Sequence, residues 1–373
     1  MKTQKRLGIL TSGGDCPGLN AVIRAVVSHA RLTYNWQVLG IPYATKGLLE
    51  RKRKTVPLSL HSLDLRGIDP LLNMGGTILG SINKGDTLAH IDEIVASYHA
   101  LELDALIGIG GDGSLSILNQ LQARGNWQFI GIPKTIDNDV AQTERVVGFD
   151  TAVNTIVDAL NRLTFTAASH DRVMIVEVMG RTAGHLALQA GIAGGADVIL
   201  IPEIPYSIQG ICSHLKELRD VWGRQFAIVV VAEGAQVAND SCCDTSSPTP
   251  SCGMGQYIAN EIRSCSHDQL DIRVSVLGHI QRGGIPTALD RLVATAFGKA
   301  AVDLLAAGET AKMVTWRNGQ VEAVALEVVV AQSPLCVAPN HYLVQTARAL
   351  GIYVGEEIGD RNCIYPNTVQ IRP

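Results

Sequence analysis

The chain has few charged and few aromatic residues, and basic residues are not in excess. Charged residues make up 18% of its 373 residues and aromatic residues 5%, and the formal net charge is −4 at pH 7. A nucleic-acid-binding domain would be expected to carry a strongly basic face. We therefore expect no nucleic-acid partner, and an anionic substrate would need a locally basic pocket.

Long apolar runs are also missing near the first residue. The apolar stretch after the first basic residues covers only Leu7 to Leu10 and ends at a glycine-rich turn. A secretory signal needs roughly 7–15 apolar residues and a membrane span about 20. These lengths predict a cytoplasmic protein with no membrane partner.

The eight cysteines lack the paired spacing of a metal site, so we expect them to be reduced. Cys242, Cys243 and Cys252 do cluster, within a Ser-, Thr- and Pro-rich stretch at 239–255. A metal knuckle there is an alternative, but the vicinal pair lacks CxxC geometry and no histidine follows at a ligand interval. The composition instead indicates an exposed insertion.

Apolar runs bounded by glycines alternate with helical stretches along most of the chain. Near-continuous Val, Ile and Leu runs of this kind indicate parallel strands buried on both faces of a sheet. They occur at 7–11, 105–109, 128–132, 172–179, 226–232 and 273–277. Because the chain is too long for one ordinary core, we predict an α/β fold of two Rossmann-like lobes. Each lobe would be a mostly parallel sheet flanked by helices, with the active site in the cleft between them.

Two glycine loops directly follow predicted strands. Gly13 lies in the first, SGGD, and the second is GGDGS at 110–114. Glycines let backbone N–H groups approach a phosphate at a helix N-terminus, and one carboxylate suits Mg²⁺. The alternatives are a sterically tight turn for the first loop and a helix cap by Asp112 for the second. Neither loop satisfies a GxGxxG fingerprint or a Walker A motif.

The loop PKTIDND at 133–139 is more polar than a strand-to-helix connection requires. Asp137 and Asp139 lie two residues apart and are flanked by a hydroxyl, an amide and a lysine. Phosphoryl transfer needs a carboxylate to accept the proton of the attacking hydroxyl. Capping residues could also produce this pattern, but they would leave both acids and the lysine without a role.

Cationic side chains follow two other predicted strands. Arg181 comes directly after EVMG, and LGHIQRGG contains His279 and Arg282. Arginine binds phosphate through a fixed fork of N–H donors, so these residues could surround a sugar phosphate. The alternative, a solvated turn with a core histidine, fits poorly because paired glycines keep this backbone open.

In this order, TSGGD, GGDGS, PKTIDND, EVMGR and LGHIQRGG resemble the motifs of the bacterial-type phosphofructokinase family. The resemblance extends from Arg6 to about Thr315. It implies a Mg²⁺-dependent kinase that transfers a phosphoryl group from ATP to the 1-hydroxyl of D-fructose 6-phosphate. The product would be fructose 1,6-bisphosphate, and the step would belong to glycolysis.

The resemblance also implies a role for each matching residue. Asp137 would be the base, Thr135 and Arg181 would contact the reacting phosphoryl, and Asp112 would hold the metal. The donor would be bound by Gly13, Lys84, Gly111, Asp112, Gly113 and Ser114, with Lys84 near the place of the family's usual arginine. The sugar phosphate would contact Thr135, Ile136, Asp137, Arg172, Met179, Gly180, Arg181, Glu233, Arg273, His279, Ile280, Gln281 and Arg282.

Family resemblance further implies a homo-oligomer, a dimer or a tetramer, with active sites shared between subunits. Arg172 and Arg273 would reach in from the neighbouring subunit. The nucleotide- and Mg²⁺-binding lobe would comprise 1–147 plus about 281–310. The sugar-phosphate-binding lobe would comprise 148–280 plus about 311–373.

Two residues bear on the identity of the donor. Lys134 stands where many ATP-using bacterial members have glycine, as in pyrophosphate-using members, whereas Gly113 stands where the latter have an acid. A carboxylate about 4 Å from the α-phosphate of ATP would cost on the order of 4 kcal/mol at an effective dielectric of about 20, roughly a thousandfold in binding. Gly113 imposes no such cost and favours ATP, as in the mixed-substrate subgroup of the family.

Three alternatives stay open at this point. One is a pyrophosphate-dependent fructose-6-phosphate 1-phosphotransferase, and another is an NAD or lipid kinase, which uses a similar GGDG loop. The third is a catalytically silent regulatory subunit. Such a subunit would be expected to have lost Asp112, Asp137 or Arg181, all of which are present.

Overall fold

A computed structural model describes residues 4–49, 55–60, 68–81, 87–237, 252–267 and 269–355. Lys84, residues 239–251 of the expected insertion and residues 356–373 lie outside this part. The strands are β1 (Arg6–Thr11), β2 (Gln37–Gly40), β3 (Val56–Leu58), β4 (Ala105–Gly110), β5 (Phe129–Pro133), β6 (Arg172–Val178), β7 (Val198–Leu200), β8 (Ala227–Ala232), β9 (Asp271–Val276), β10 (Lys312–Arg317) and β11 (Gln320–Ala325).

The helices lie mainly between consecutive strands. They are α1 (Leu19–Tyr34), α2 (Thr45–Leu49), α3 (Ile91–Ala100), α4 (Asp112–Gly125), α5 (Phe149–Ser169), α6 (His185–Ala193), α7 (Ile208–Asp220), α8 (Met254–Cys265), α9 (Ala288–Ala306), α10 (Leu326–Gln332) and α11 (Tyr342–Ala349). Short 3₁₀ helices cover Leu71–Asn73, Leu88–His90 and Gly278–Arg282. None of the helices within the described ranges is long and apolar enough to cross a membrane.

The strands form two sheets, which define the two lobes. The first lobe contains the larger sheet, in the order β11-β10-β5-β4-β1-β2-β3, and the second contains the sheet β7-β8-β6-β9. All pairs in the smaller sheet are parallel, whereas β3 and β11 close the larger sheet as antiparallel edges. The predicted α/β class with two mostly parallel sheets is confirmed.

The sequence of the central strands explains their position in the sheets. Every residue of β4 (ALIGIG) and of β8 (AIVVVA) is buried, as expected of parallel strands covered by helices on both faces. One apolar cluster includes Ile9 of β1 and Val176 of β6, so it extends from one lobe into the other. The carboxyl ends of the strands are thereby held in a fixed arrangement.

The lobe to which β10 and β11 belong differs from the predicted division of the chain. That division assigned residues from about 311 to the second lobe. β10 pairs with β5 and β11 pairs with β10, so 312–325 belongs to the larger sheet. Asn318 and Gly319 form the two-residue turn between them, with φ of 49° and 76°. An Asn-Gly turn of this type is a strong hairpin signal, and the hairpin extends the larger sheet beyond β5.

Asp290 joins the beginnings of α5 and α9. Its carboxylate is 1% exposed and accepts hydrogen bonds from the N–H groups of Gly148 (2.9 Å) and Thr151 (2.8 Å). Gly148 has a φ of 104°, and a Cβ there would lie 2.3 Å from Cys16 Sγ. The carboxylate therefore satisfies the first turn of α5 and fixes the end of the loop that follows β5.

We predict that Asp290→Ala lowers the free energy of unfolding by about 3 kcal/mol, because two buried N–H groups lose their acceptor. Urea unfolding of the purified protein measures this loss. Asp290→Asn, which keeps one acceptor oxygen, should lose less. As a control, Asp158→Ala breaks an exposed ion pair on α5 and should change stability by less than about 1 kcal/mol. A similar loss in both alanine variants would contradict the assigned role.

Candidate active site

Most of the predicted site residues meet in a cleft of about 730 Å³ at the carboxyl ends of strands from both lobes. The lining comprises Ser12, Gly13, Gly14, Asp15, Thr45, Thr77, Gly80, Ser81, Thr87, Gly111, Asp112, Gly113, Ser114, Ile117, Leu118, Lys134, Thr135, Asp137, Met179, Arg181, His279 and Arg282. Thr45, Thr77, Ser81 and Thr87 were not predicted from the sequence, since isolated hydroxyl residues carry no motif.

The two glycine loops lie side by side at one end of the cleft. Gly13 has a φ of 82°, and a Cβ there would lie 2.9 Å from the hydroxyl of Ser114. α4 begins at Asp112, and its N-cap, Gly111, makes no side-chain capping bond. Asp112 is therefore not the helix cap of the alternative interpretation. Its carboxylate and the N-terminus of α4 face the cleft, where the helix dipole favours an anion.

Asp137 is the most deeply buried carboxylate in the cleft lining. It is 4% exposed, its N–H donates to Thr135 Oγ1 (3.0 Å), and its Oδ1 has no hydrogen-bond partner among the described residues. Burial and the charge of Asp139 raise the pKa of Asp137 to about 6, while Arg282 and Arg181 act in the opposite direction. A carboxylate with this pKa is ionised at neutral pH and is a stronger base than an exposed one.

Asp139 received no separate role from the sequence, although it belongs to the same motif. It is buried, and its Oδ1 also has no partner among the described residues. Burial and the charge of Asp112 raise its pKa, which indicates that the two carboxylates interact. Asp139 does not itself line the cleft, but its charge acts on Asp137, and the charge of Asp112 acts on it.

The acidic groups fit a magnesium ion better than a metal held by protein alone. No group of three or more His, Cys, Asp or Glu side chains with metal-binding geometry occurs in the described ranges. Mg²⁺ commonly takes one or two carboxylates and completes its shell with phosphate and water. Asp112 and the unpartnered oxygen of Asp139 match this requirement.

Arg181 approaches these carboxylates from the second lobe. Its Nη1 lies 3.9 Å from Asp112 Oδ1, and its backbone N–H donates to Glu233 Oε1 (3.0 Å). The φ of Arg181 is 53°, a left-handed conformation that non-glycine residues adopt at a cost. Glu233, which was expected to contact the sugar, thus also holds the loop that carries Arg181.

The 3₁₀ helix Gly278–Arg282 places its residues in different environments. His279 and Arg282 line the cleft, and Arg282 Nη1 donates to the carbonyl of Asp15 (3.2 Å). Gln281 is fully buried and joins Met179 N to Gly278 O (3.3 and 2.9 Å), so it supports the loops. Ile280 is 60% exposed, and its side chain does not line the cleft.

Lys134 is buried beside the first glycine loop. Its ammonium group donates a hydrogen bond to the carbonyl of Gly14. Burial lowers its pKa, as does the nearby charge of Arg282. The expected attraction of Lys134 for the donor is thus combined with a contact that fixes the loop of Gly13 and Gly14. Ile136, two residues away, is fully buried, and its side chain does not line the cleft.

Arg172 begins β6, at the end of the strand away from the cleft, and Arg273 is the third residue of the neighbouring strand β9. Both pair with Asp271, at 2.7 and 2.9 Å. β6 has seven residues, and at about 3.3 Å per residue Arg172 lies about 20 Å along the strand from the loop that carries Arg181. Within one chain, Arg172 is therefore too far away to complete the cleft.

Comparison with known proteins agrees with this arrangement. A sequence model of the family described as Phosphofructokinase matches residues 6–305. The chain belongs to the phosphofructokinase family. It is 72% identical to the ATP-dependent 6-phosphofructokinase 2 of Nostoc sp. over 357 residues, which cover 95% of this chain and 99% of the relative.

Solved structures of phosphofructokinases share the fold. Pichia pastoris phosphofructokinase in the T-state superposes with a TM-score of 0.78 at 29% identity, and the match covers 94% of this chain and 37% of the Pichia chain. A pyrophosphate-dependent phosphofructokinase from Marinobacter aquaeolei gives a TM-score of 0.74 at 26% identity, with 89% and 85% covered. The two-lobed architecture is therefore that of the phosphofructokinase family.

The raised pKa of Asp137 predicts that Asp137→Asn stabilises the fold above pH 6. Ionised Asp137 is disfavoured in the folded chain, so stability is lost as the pH rises from about 4 through about 6. Removing the charge should add about 3 kcal/mol at pH 8, and about half of that at pH 5.

Urea unfolding at both pH values measures the effect. Asp92→Asn, which changes an exposed carboxylate on α3, is the matched control and should show no such gain. If Asp137→Asn is no more stable than the parent chain at pH 8, the carboxylate does not experience the assigned burial.

Proposed function

We propose that this chain is an ATP-dependent 6-phosphofructokinase that acts in the cytoplasm. It phosphorylates the 1-hydroxyl of D-fructose 6-phosphate and yields fructose 1,6-bisphosphate, a step of glycolysis. The observation that carries the proposal is the position of Asp137. This buried carboxylate lies in one cleft with the N-terminus of α4 and with cationic groups of the second lobe.

Asp137 is assigned as the base. Above a pH of about 6 it is ionised, and it can accept the proton of the attacking 1-hydroxyl. Thr135, whose hydroxyl already contacts the N–H of Asp137, and Arg181 are assigned to the transferred phosphoryl. Arg181 belongs to the other lobe. Its positive charge can therefore offset the negative charge that develops on the phosphoryl group, on the side opposite the base.

The donor phosphates are assigned to the glycine loops and to the N-terminus of α4. Gly13, Gly111, Gly113 and Ser114 offer backbone and hydroxyl contacts there. Asp112 and Asp139 would hold a Mg²⁺ ion, which neutralises phosphate charge when bound. Lys84 remains a proposed contact on the basis of its sequence position alone.

The sugar phosphate is assigned to the second lobe. His279 and Arg282 would bind the 6-phosphate, with Arg282 already oriented by its bond to the carbonyl of Asp15. Met179 and Gly180 would contact the sugar through the loop after β6, together with Glu233 at the end of β8. In this assignment the 1-hydroxyl would lie between the lobes, next to Asp137.

Gly113 supports ATP as the donor. No described atom lies within 4 Å of the position that a Cβ would occupy there, so the glycine leaves open space at the start of α4. The relative with 72% identity is named ATP-dependent, whereas the pyrophosphate-dependent enzyme matches at 26%. Lys134 does not oppose this assignment, since its ammonium group is bonded to the carbonyl of Gly14.

Purified protein should phosphorylate fructose 6-phosphate with Mg²⁺ and ATP, and much more slowly with pyrophosphate. Gly113→Asp should lower kcat/KM for ATP roughly a thousandfold, because its carboxylate repels the nucleotide phosphates. Gly113→Asn has the same shape without the charge and should retain most of the activity. Faster turnover with pyrophosphate in the parent enzyme would refute the donor assignment.

We further propose a homo-oligomer, a dimer or a tetramer, in which Arg172 and Arg273 complete the site of a neighbouring subunit. The distance of Arg172 from the cleft of its own chain supports this arrangement. Exposed apolar side chains lie at the end of β9 and just after it, with Val276 at 62% and Ile280 at 60% exposure. A second copy that covered this face would bury apolar surface and place both arginines at a cleft.

Mixed oligomers test the shared site. Asp137→Asn and the double variant Arg172→Ala/Arg273→Ala should each lose at least about a hundredfold in kcat/KM. When the two are dissociated and reassembled together, sites with an intact Asp137 receive arginines from the other variant, and activity should return. Homo-oligomers treated in the same way are the controls. Mixtures no more active than their components would rule out exchange of arginines.

A further inference from the structure

The chain passes from the first lobe to the second through residues 333–337, between α10 and α11, and we call this segment the 333–337 strap. α10 packs against α4, β10 and β11 of the first lobe, whereas α11 packs against α6 of the second. No motif marks the strap, and its side chains do not line the cleft. Its hydrogen bonds nevertheless reach both loops that carry the reacting groups.

On the first lobe, the strap is bonded to the loop that contains Asp137. The hydroxyl of Ser333 accepts a hydrogen bond from the N–H of Ala141 (2.9 Å). The N–H of Leu335 donates to the carbonyl of Asp139 (2.6 Å). Both contacts lie within four residues of Asp137, so the strap restrains this loop directly.

On the second lobe, the strap is bonded to residues just beyond Arg181. The carbonyl of Leu335 accepts a hydrogen bond from His185 Nε2 (3.1 Å). Because a carbonyl oxygen can only accept, Nε2 carries the proton. The N–H of Val337 donates to Glu203 Oε1 (2.7 Å), and the same oxygen accepts from the N–H of Gly184 (2.9 Å). Burial lowers the pKa of His185, which favours a neutral ring.

The single residue Leu335 thus links the two lobes. Its N–H is bonded to the base-bearing loop of the first lobe, and its carbonyl is bonded to the first residue of α6 in the second. Cys336 adds a weaker contact, because its Sγ lies 3.8 Å from the carbonyl of Thr182, next to Arg181. A displacement of the strap would therefore alter both loops together.

We infer that the 333–337 strap, held by His185 and Glu203, is a positioning device that sets the separation of Asp137 and Arg181. The inference rests on the proposed function, in which these two groups face the reacting phosphoryl from opposite lobes. A misplacement of about 1 Å can cost about a hundredfold in rate. Ser333, His185 and Glu203 act through other residues and are positioning residues rather than catalytic ones.

Two substitutions interrupt the strap, one on each lobe. Ser333→Ala removes the acceptor for Ala141, and His185→Leu removes the donor to Leu335 while keeping an apolar side chain of similar bulk. Ser333→Thr and His185→Gln are matched controls that retain the hydroxyl and an N–H group. Val344→Ala, in the buried face of α11, is a control that loosens the core beyond the strap without changing its hydrogen bonds.

Amide hydrogen exchange, followed by mass spectrometry without substrate, tests the connection itself. Ser333→Ala should accelerate exchange at 181–185 on the second lobe, and His185→Leu should do so at 137–141 on the first, each by about tenfold or more. Acceleration confined to the substituted side would overturn the inference. Since no substrate is present, the result is independent of the proposed activity.

Kinetics test the consequence for the reaction. Each interrupting variant should lower kcat about ten- to a hundredfold, with KM for fructose 6-phosphate changed by less than about threefold. The double variant should fall no further than the worse single variant, because both act through one segment. Losses that add fully, or an equal loss in Val344→Ala, would show a general structural effect and overturn the inference.

Discussion

The burial of the Asp137 carboxylate is the constraint on which the rest of the site depends. A carboxylate removed from water holds its proton more tightly, and a second buried acid two residues away increases this effect. Nearby cations act in the opposite direction and favour the ionised form that a base needs. Arg282 and Arg181 limit the rise, and both come from segments that follow strands of the second lobe. Charges carried by segments of the second lobe therefore act on the pKa of Asp137 in the first lobe, in addition to the packing between the lobes.

Several side chains have no direct chemical role but hold the loops of the site in place. Glu233 holds the backbone of Arg181, Gln281 holds the loop at Met179, and Lys134 holds the glycine loop at Gly14. Each uses a buried or half-buried polar group to fix a neighbouring loop. Such support matters because the preorganisation of charge, rather than flexibility, stabilises a phosphoryl transition state.

The two sheets supply a common geometry for loops that are distant in sequence. In parallel sheets the carboxyl ends of neighbouring strands meet at one edge, so β1, β4 and β5 bring three motifs of the first lobe together. β6 and β9 do the same for Arg181 and His279 in the second lobe. The same rule places Arg172, the first residue of β6, at the end of the sheet away from the cleft.

Much of the molecule was predictable from local patterns. Buried parallel strands need continuous apolar runs, and phosphate-binding turns need glycine, so six strands (β1, β4, β5, β6, β8 and β9) could be located to within about two residues, together with the motif loops. Family resemblance then supplied the substrate class and the order of the motifs. The hairpin of β10 and β11 carries a sequence signal in Asn318 and Gly319, but it was not predicted, and the residues from about 311 were expected in the second lobe.

Only the tertiary structure decided which polar residues act as supports. Gln281 stands in a motif beside His279, yet it is buried and bonded to backbone, and His185 begins an apolar helix with no signal of its own. The burial that raises the pKa of Asp137, and the strap that crosses behind it, arise from segments up to about 200 residues apart in the chain. Local sequence determines conformation and chemical type, whereas electrostatic environment depends on long-range packing, which no single segment encodes.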